Sequence, residues 1–437
     1  MSILWILVIL TSSLLSGCFF SQTHSSSSHL NIAIYADPIL SPAQARKAQD
    51  LSLAKLLFEG LLRENPEKKD FIEFALASSY TSDKEHKKYT FYLKDNVLWS
   101  DGTPITSQDI LEAWEYSQAH TIHYKIFQGL SFYASSATSV TVISDTPNPD
   151  LPKLLAFPAF FIYKPLNSRI FSGPFVIKEY TPSQNLFLTK NPYYYDFNAV
   201  VIDSIQLTVL PDIHTAKHLM TRGKIHWVGQ PWHQGIPKEF LAHSKSLYYS
   251  YPVEGTFWLA LNIKAPQLTN LANRLRIAAA INKSALIQEA LEGRQQPAYS
   301  LSKGSTKFTT YTQQSQPTFL ENITLTLTYP IEIIRCQRIA EVLREQLKPK
   351  GIHLHLEGLE YHCFLNKRNL YDYVITTQTE VAHYPNAHLQ PNERHKLCNI
   401  EVIPLYHMHY DYLSSRPIKN VLYNASGAVD LKYAFLG

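Results

Sequence analysis

The sequence has few cysteines, no strongly basic stretch and no recognisable catalytic motif, and each absence excludes a class of protein. Four cysteines in 437 residues do not make a disulfide framework. Lysine and arginine are scattered and the net charge is only +4, so nothing indicates a nucleic-acid partner or a strongly acidic one. The motifs G-x-S-x-G, H-E-x-x-H and Walker A are missing, as are paired carboxylates. We therefore expect a protein that is not an enzyme.

The amino terminus carries an apolar run that is too short to cross a membrane. It extends from Ile3 to Leu10 and then into small residues, whereas a spanning helix needs about 20 apolar residues. This pattern is typical of a secretion signal, although no lysine or arginine precedes the run. Leu15-Ser16-Gly17-Cys18 resembles a bacterial lipobox. The resemblance implies that residues 1–17 are a cleaved signal peptide and that lipidated Cys18 anchors the chain to a membrane. The alternative is an uncleaved amino-terminal anchor.

The size and composition of the remaining chain predict more than one lobe. Hydrophobic residues make up 45% of the sequence and aromatic residues 12%, which is enough for large cores in a globular protein. Residues 18–29 are polar and low in complexity, and they are predicted to be a tether. Besides Cys18 the cysteines are Cys336, Cys363 and Cys398. With Cys18 lipidated, at least one of these three is a free thiol or pairs with another chain.

The stretch from Tyr89 to Tyr116 predicts a strand, a turn and a capped helix in succession. Aromatic and polar residues alternate in YTFYLK, the pattern of a half-buried strand. Thr106 and Asp109 have the spacing of a capping box, with Ile105 and Ile110 at the hydrophobic-staple positions. The run YTFYL…VLWSDGTPIT..DIL.AWEY resembles the signature of the family 5 extracellular solute-binding proteins. These are the oligopeptide-, dipeptide- and nickel-binding components of ABC importers.

That resemblance implies an α/β fold of the class II periplasmic-binding-protein type, with two lobes joined by crossing strands and an extra subdomain. The implied domains are lobe one (residues 30–66, 163–253 and 405–437), a subdomain inserted in lobe one (67–162) and lobe two (254–404). Other segments also match the family or predict an element from their hydrophobic pattern. They are an amphipathic helix over 44–62 that contains FEGL, a hairpin from Ser172 to Tyr195, a crossing strand from Tyr251 to Ile263, a helix from Leu271 to Gly293, a βαβ unit from Ile323 to Leu359, and a return crossing from Val402 to Tyr410.

The family's architecture implies which residues border a cleft between the lobes. Aromatic side chains there would line apolar subsites, although core packing is an equally good interpretation of each aromatic residue. The predicted ligand-binding residues are Trp232, Phe257, Trp258, Asn262, Glu380, His383, Tyr384, Tyr406 and His407.

One of these positions departs from the family pattern. Peptide binders of the family carry A-D-Y-x-x-P, in which the aspartate pairs with the ammonium group of the ligand. Here the segment Val381-Ala382-His383-Tyr384-Pro385 puts His383 at the carboxylate position. An imidazole cannot replace a carboxylate as counter-ion to an ammonium group. Glu380 is the nearest carboxylate, but a strand would point it to the opposite face from His383.

Four histidines are candidate metal ligands. His353 and His355, and separately His407 and His409, lie two residues apart on predicted strands, so each pair shares one face. Neither pair has a third ligand in the sequence, and we expect no metal and no cofactor. His226 replaces the family's usual aspartate at a turn and is predicted to change local hydrogen bonding.

The residues Ser52 and Lys55 form an S-x-x-K sequence, the nucleophile motif of penicillin-recognising enzymes. No K-T-G or S-D-N companion accompanies it, so both are predicted to be ordinary helix residues.

The leading hypothesis is a periplasmic, lipid-anchored and monomeric binding component of an ABC importer. It would capture short peptides by hinge closure and deliver them to a permease in the inner membrane, without binding nucleic acid. One alternative is the same fold with an altered ligand, such as a glutathione-like peptide, haem or nickel. Another is a degenerate family member that acts as a surface interaction protein.

Overall fold

The computed structural model describes residues 28–68, 70–121, 123–165, 169–241, 246–291, 294–301, 321–331, 333–360, 363–364, 373–381 and 393–437. The helices are α1 (Ala48–Leu57), α2 (Ser107–His120), α3 (Leu151–Leu155), α4 (Ile213–Thr221), α5 (Leu271–Ala280), α6 (Lys283–Ala290), α7 (Ile334–Leu347) and α8 (Glu393–Cys398). The short 3-10 helices are Pro42–Gln44, Tyr124–Phe127, Pro158–Phe160, Phe197–Ala199, Lys238–Phe240, Pro266–Leu268 and Lys348–Lys350. None of the described helices combines the length and apolar character that crossing a bilayer requires.

The strands in chain order are β1 (His29–Ile34), β2 (Leu62–Glu64), β3 (Ile72–Phe74), β4 (Ala77–Ser82), β5 (Lys88–Leu93), β6 (Leu130–Ser136), β7 (Ser139–Ser144), β8 (Phe175–Thr181), β9 (Asn185–Lys190), β10 (Ser204–Val209), β11 (Trp227–Gly229), β12 (Leu247–Leu261), β13 (Gln296–Pro297), β14 (Ile323–Pro330), β15 (Ile352–Leu359), β16 (Ile375–Val381), β17 (Val402–Ser414), β18 (Ile418–Lys419), β19 (Leu422–Tyr423), β20 (Val429–Asp430) and β21 (Phe435–Leu436).

Two unusually long strands, β12 and β17, belong to both lobes of the fold. Within the described residues an 11-stranded sheet has the order β15-β14-β16-β12-β17-β11-β1-β10-β9-β8, and β13 pairs with β17. β12 has 15 residues and β17 has 13, so at about 3.3 Å per residue each spans roughly 40–50 Å. One half of this antiparallel pair completes lobe one and the other half completes lobe two. The predicted two-lobed α/β fold with crossing strands is confirmed.

A continuous hydrophobic core runs through both lobes. It joins residues of lobe one, such as Leu30 and Trp227, to residues of lobe two, such as Ile339 and Leu343, through the crossing strands. A second core belongs to the four-stranded sheet β4-β5-β7-β6 and helix α2. This separate sheet lies within residues 67–162, although the exact domain boundaries stay a prediction.

The start of α2 confirms the predicted capping box. The Thr106 side chain accepts a hydrogen bond from the Asp109 N–H, and the Asp109 carboxylate accepts one from the Thr106 N–H at 2.8 Å. Ile105 and Ile110 on either side are both buried, as a hydrophobic staple requires. The Trp114 indole on the same helix donates to the Phe160 carbonyl at 2.7 Å. Local sequence therefore fixes where this helix begins and how it enters the subdomain.

The helix predicted over 44–62 is wrong at both ends, because α1 spans Ala48–Leu57. The chain leaves the helix at Phe58, which is extended, and Glu59 pairs with Ile162 in an isolated bridge. A side chain at Gly60 would place its Cβ 2.7 Å from the Leu62 carbonyl oxygen, so only glycine fits this close approach. Tertiary contacts of the FEGL segment therefore override its helical periodicity.

The single helix predicted from Leu271 to Gly293 is also wrong, since the structure has two helices, α5 and α6. The break lies at Ile281, which is extended. The next residue, Asn282, caps α6, and its side chain accepts a hydrogen bond from the Ala285 N–H at 3.0 Å. Asparagine favours this capping role over a helix interior because its side chain competes for backbone donors.

A buried cluster of charges joins the amino-terminal and carboxy-terminal parts of lobe one. The Arg63 guanidinium contacts the Glu59 carboxylate at 3.0 Å and the Asp430 carboxylate at 2.7 Å. It also donates to the Lys55 carbonyl at 3.0 Å. The Tyr194 hydroxyl donates to the other oxygen of Glu59. All four ionised or hydroxyl groups are buried, so each depends on its partners in place of water.

The residues of the S-x-x-K sequence have structural partners on α1. The Ser52 hydroxyl donates to the Ala48 carbonyl and accepts from the Val429 N–H. The Lys55 ammonium contacts the Glu64 carboxylate at 2.6 Å. These contacts agree with the predicted role of ordinary helix residues.

We expect Arg63→Ala to lower the free energy of unfolding by about 3–5 kcal/mol, because it leaves two buried carboxylates without a counter-charge. Urea unfolding followed by circular dichroism measures this change. Arg344→Ala is the matched control, since Arg344 and Glu345 form an exposed pair with 46% and 64% of their side chains accessible; its effect should stay below about 1 kcal/mol. Equal effects of the two variants would contradict a stabilising role of the buried cluster.

Candidate functional site

The parallel strands of both lobes end at the boundary between the lobes. β1 is parallel to β10 and β11, and β11 is antiparallel to β17. β12 is also antiparallel to β17, so the lobe-one strands run in the direction of β12, towards lobe two. In lobe two, β14 is parallel to β15 and β16, and β16 is antiparallel to β12. Both sets of carboxyl ends therefore point to the boundary, the usual place for ligands in open α/β sheets.

The crossing strands have an irregular pairing where the chain passes between the lobes. The ladder between β12 and β17 shifts register between Pro252 and Thr256, and again between Phe257 and Trp258. Glu254 lies within the first interruption, and its N–H donates to the Ala425 carbonyl at 2.8 Å. Such bulges bend a strand and loosen the ladder locally. They are the natural positions of a hinge between two lobes.

Two of the predicted site residues lie together at this boundary. Phe257 and Tyr406 are cross-strand neighbours, and their rings stack with centroids 5.1 Å apart. Both are almost fully buried in the continuous core. The Tyr406 hydroxyl lies near the Arg335 guanidinium but has no well-formed hydrogen bond within the described residues. Burial raises the pKa of Tyr406 and nearby Arg335 opposes that rise, so the hydroxyl stays protonated.

Other predicted site residues lie elsewhere or only border the boundary. Trp258 packs on Leu397 and Val402, in a cluster separate from that of Phe257. Asn262 follows β12, roughly 25 Å along the chain from the interruption at Glu254, so the structure does not bring it to the boundary.

His407 lies at the boundary, where its Nδ1 is 3.1 Å from the Thr256 hydroxyl. Because that hydroxyl donates to the Leu301 carbonyl, Nδ1 is assigned as the donor. The backbone of Glu380, on β16, pairs with that of Thr256 on β12. His383, Tyr384 and Cys18 lie outside the described residues.

Two arginines of predicted lobe two contact lobe one across the boundary. Arg294 contacts the Asp411 carboxylate at 2.6 Å and donates to the Ile236 carbonyl at 2.8 Å. The other oxygen of Asp411 accepts from the Ile236 N–H at 3.1 Å. Arg335 lies so close to Gly235 that a Cβ there would be 2.8 Å from its Nη2 atom. The two lobes are therefore in contact in this structure.

Sequence reasoning missed these three charged residues. Asp411 did carry a signal, because it is an acidic residue in an otherwise aromatic and apolar strand, VIPLYHMHYDYLS. Arg335 lies in the first turn of α7, and a helical pattern carries no information about contacts with the other lobe. Arg294 had no distinguishing signal, since it follows α6 in irregular chain.

A pocket of about 200 Å³ lies in lobe one next to the boundary. Its walls come from the chain after β1, the start of α1 and the loop after β11. Trp232, a predicted site residue, lines this pocket and is fully buried. Its carbonyl accepts from the Tyr35 N–H at 3.1 Å, which attaches the loop to the carboxyl end of β1.

The candidate metal ligands have the placement that their spacing predicts. His353 and His355 are exposed on one face of β15. Among the described residues no group of three histidine, cysteine or acidic side chains is arranged to hold a metal ion. His226 accepts from the Asn31 N–H at 2.9 Å. Burial, with Arg416 and His29 nearby, lowers its pKa to about 4, so it serves as a neutral hydrogen-bond acceptor at this turn.

Cys336, Cys363 and Cys398 are all free thiols, of which Cys336 is buried. Burial raises the pKa of the Cys336 thiol to about 11, so this group stays protonated and unreactive at neutral pH.

Comparison with known proteins gives a consistent set of relatives. The family model for bacterial extracellular solute-binding proteins, family 5 (middle), matches residues 72–392. The oligopeptide-binding protein OppA of Bacillus subtilis is 27% identical over 337 residues, which cover 67% of this chain and 61% of OppA. The periplasmic murein peptide-binding protein MppA of Escherichia coli is 22% identical over 402 residues, 79% of this chain and 73% of MppA.

Solved structures share the fold over nearly the whole chain. The E. coli murein tripeptide binding protein MppA superposes with a TM-score of 0.78 at 19% identity, covering 94% of this chain and 99% of MppA. Listeria monocytogenes OppA bound to peptide gives a TM-score of 0.72 at 18% identity, with 94% and 99% coverage. At this level of identity the likeness establishes the fold.

We expect Asp411→Asn to weaken contact between the lobes, because it removes the charge that Arg294 faces while keeping an acceptor for the Ile236 N–H. A charge-assisted hydrogen bond contributes about 1.5–3 kcal/mol, and partial exposure of Arg294 reduces this to about 1 kcal/mol. The radius of gyration from small-angle X-ray scattering should increase without ligand. Glu85→Gln removes the exposed partner of Lys87 and should leave it unchanged. Identical scattering from Asp411→Asn and the wild type would contradict the role assigned to this pair.

Proposed function

This chain belongs to the family 5 bacterial extracellular solute-binding proteins, and from that premise we propose that it captures short peptides and delivers them to an ABC permease. The observation that carries the proposal is the boundary between the lobes, where the carboxyl ends of both strand sets meet beside an interrupted ladder. The ligand class is supported by two relatives, the oligopeptide-binding protein OppA and the murein peptide-binding protein MppA.

Binding in this proposal is a shift between open and closed lobes. A ligand that contacts both lobes favours the closed form by the difference between its affinities for the two forms. The register shifts near Glu254 are where the chain bends, and the Asp411–Arg294 contact is part of what the closed form gains. No step in this cycle makes or breaks a covalent bond, so the protein acts without catalysis. The permease responds to the closed form.

A peptide would be held mainly through its backbone. Extended chains bind by main-chain hydrogen bonds, while their side chains enter separate pockets. Phe257, Tyr406 and His407 border the place where such a chain would lie. His383 stands where peptide binders of the family carry an aspartate, which favours a second candidate: the same clamp with an altered ligand, such as a glutathione-like peptide, haem or nickel.

The chain would act as a monomer held at a membrane in the periplasm. Ser28 is the first described residue, and its N–H donates to the Asp203 carboxylate at 2.8 Å. β1 starts immediately afterwards with its amino end away from the boundary. A tether preceding Ser28 would therefore leave lobe one at the end opposite the cleft and keep a lipid anchor clear of the ligand.

We expect Cys18→Ala to abolish lipidation and release the protein from membranes. Cells supplied with an alkyne-labelled fatty acid should incorporate label into the wild type and none into the variant. Cys363→Ala is the matched control, since Cys363 is an exposed free thiol outside the lipobox. Label on Cys18→Ala, or membrane retention equal to the wild type, would exclude Cys18 as the anchor.

Tyr406→Phe should stabilise the ligand-free protein and weaken peptide binding. A buried hydroxyl without a hydrogen bond costs about 1–3 kcal/mol, so its removal should raise the unfolding free energy. If a bound peptide satisfies the hydroxyl, affinity should fall about 3–10-fold. Thermal shift across a peptide library, glutathione, haem and nickel identifies the ligand, and calorimetry then measures its affinity.

The control for this experiment is Tyr412→Phe. The Tyr412 hydroxyl is hydrogen-bonded to the Tyr423 hydroxyl at 2.8 Å, so the variant should lose stability and keep its affinity. An unchanged affinity in Tyr406→Phe would remove Tyr406 from the binding site. Thermal shifts with haem or nickel but none with peptides would replace the leading proposal by the second candidate.

A further inference from the structure

One edge of lobe one, opposite the boundary between the lobes, is strongly basic. The amino ends of β1, β10 and β11 meet there with the carboxyl ends of β9 and β17. The segments of this basic edge contain five lysines and arginines and one acidic residue. Its net charge therefore equals that of the whole chain, +4. The segments are residues 28–31, 189–193, 201–204, 222–226 and 414–420.

Hydrogen bonds join these segments into one surface. The Asn31 side-chain amide donates to the Lys224 carbonyl at 2.9 Å, which connects β1 to the chain before β11. The Arg416 guanidinium donates to the His29 carbonyl at 3.5 Å, which connects the chain after β17 to β1. Burial, together with the nearby charges of Arg416 and His29, lowers the pKa of His226 to about 4. The positive groups are therefore close enough to act on one another.

The cations of the basic edge have no counter-charge within the protein. Arg222, Lys224, Arg416 and Lys419 are exposed, and Lys190 is partly exposed. None of these five forms an ion pair with a carboxylate in the part of the chain that the structure describes. Exposed ammonium and guanidinium groups that no carboxylate neutralises attract an anionic partner.

The proposed membrane tether enters lobe one at this same edge. The Ser28 N–H donates to the Asp203 carboxylate at 2.8 Å, so the one acidic residue of the basic edge binds the incoming chain. Ten residue steps separate Cys18 from Ser28, a length that reaches at most about 35 Å when extended and about 17 Å on average as a flexible chain. A lipid anchor at Cys18 would therefore hold the basic edge close to the bilayer.

Exposed apolar side chains lie beside the cations. Val201 precedes Asp203 by two residues and is 49% exposed. Phe197 is 40% exposed, and the Lys190 ammonium lies 3.7 Å from the centre of its ring. Leu247, at the start of β12, is 39% exposed. This mixture suits an anionic bilayer, where cations bind lipid phosphates and apolar groups enter the headgroup region.

We propose that the basic edge docks lobe one onto the surface of an anionic phospholipid bilayer, the membrane that holds its amino-terminal anchor. The inference rests on the proposed function for that anchor, whereas the charge of the edge and its place in the fold do not depend on it. Each lysine or arginine near such a surface adds to binding, over a range of about 8 Å at physiological salt. The tether keeps the edge at a high effective concentration near the lipid, so a modest affinity is sufficient.

Docking in this way fixes the orientation of the protein. β12 begins at the basic edge, where Leu247 pairs with Ser414, and then runs into lobe two. The crossing strands therefore point away from the bilayer, and lobe two lies farthest from it. The boundary between the lobes stays in the surrounding solution, where it can meet ligand. Because the attraction is electrostatic and weak, the protein can leave this orientation when it delivers ligand.

The test measures how unlipidated protein binds vesicles. Residues 19–437, which include every described residue, are sedimented with vesicles of phosphatidylcholine alone or of phosphatidylcholine mixed equally with phosphatidylglycerol. The wild type should bind the mixed vesicles at least about tenfold more tightly, and added salt should weaken that binding. A triple variant, Lys224→Gln, Arg416→Gln and Lys419→Gln, should lose about 100-fold in affinity for mixed vesicles, at about fivefold for each charge removed.

The matched control is a second triple variant, Arg344→Gln, Lys348→Gln and Lys350→Gln. These three cations are exposed in lobe two, at the end of α7 and in the 3-10 helix that follows. The control removes the same residue types and the same charge, and it should bind mixed vesicles as the wild type does, within about twofold. Circular dichroism checks that both variants fold. If the first triple variant does not fold, Lys224→Gln alone should still show a loss of about fivefold.

The outcomes separate the docking surface from the functions proposed above. Equal binding of the wild type to both kinds of vesicle would overturn the docking surface. Equal losses in the two triple variants would also overturn it, because binding would then follow overall charge rather than the basic edge. Neither result affects peptide capture, which calorimetry measures without vesicles. Since the assayed protein carries no lipid, a failure of lipidation at Cys18 leaves the vesicle result unchanged.

Discussion

The hydrogen-bonded ladder between β12 and β17 is the constraint on which the rest of the structure depends. Both strands belong to both lobes, so the pair fixes the position of each half-sheet relative to the other. It also fixes chain direction. Because every other strand of the 11-stranded sheet pairs directly or indirectly with this ladder, the carboxyl ends of both parallel sets meet at its middle. The interruption near Glu254 and the stacked rings of Phe257 and Tyr406 therefore lie where a ligand would bind.

The continuous core gives this arrangement a physical consequence. Leu30 and Leu343 belong to one hydrophobic cluster even though they lie in different lobes, so the lobes share apolar contacts as well as two strands. Motion between them must then come from local bending of the ladder rather than from separation of two independent cores. The polar contacts of Asp411 lie beside that bend. Small changes in charge there can shift the equilibrium between open and closed lobes without altering the shared core.

Sequence patterns predicted those elements whose signals are local. Thr106 and Asp109 cap a helix through contacts three residues apart, and the amphipathic pattern of α7 places its buried face without help from distant residues. Where distant contacts decide, the patterns failed. The helix predicted at 44–62 stops at Leu57 because Glu59 pairs with the distant Ile162 and Gly60 lies against the Leu62 carbonyl.

The family resemblance predicted Trp232 and Tyr406 as site residues, but it contained no information about which polar groups lack partners. That property depends on how distant segments pack together, as they do around the Tyr406 hydroxyl. Asn262 was also predicted as a site residue, because it follows a crossing strand. It nevertheless lies far along that strand from the bend near Glu254. Distance from the bend, rather than residue type, therefore distinguishes Asn262 from Tyr406.

The contact between Arg63 and Asp430 bridges a separation of 367 residues along the chain. Closing so long a loop carries a large entropic cost that only many simultaneous contacts repay, and contacts of this kind form late. During synthesis from the amino terminus, Glu59 and Arg63 emerge long before Asp430. Lobe one therefore cannot complete this buried charge cluster until Asp430 has been made, whereas the subdomain, which has its own core, does not depend on that contact.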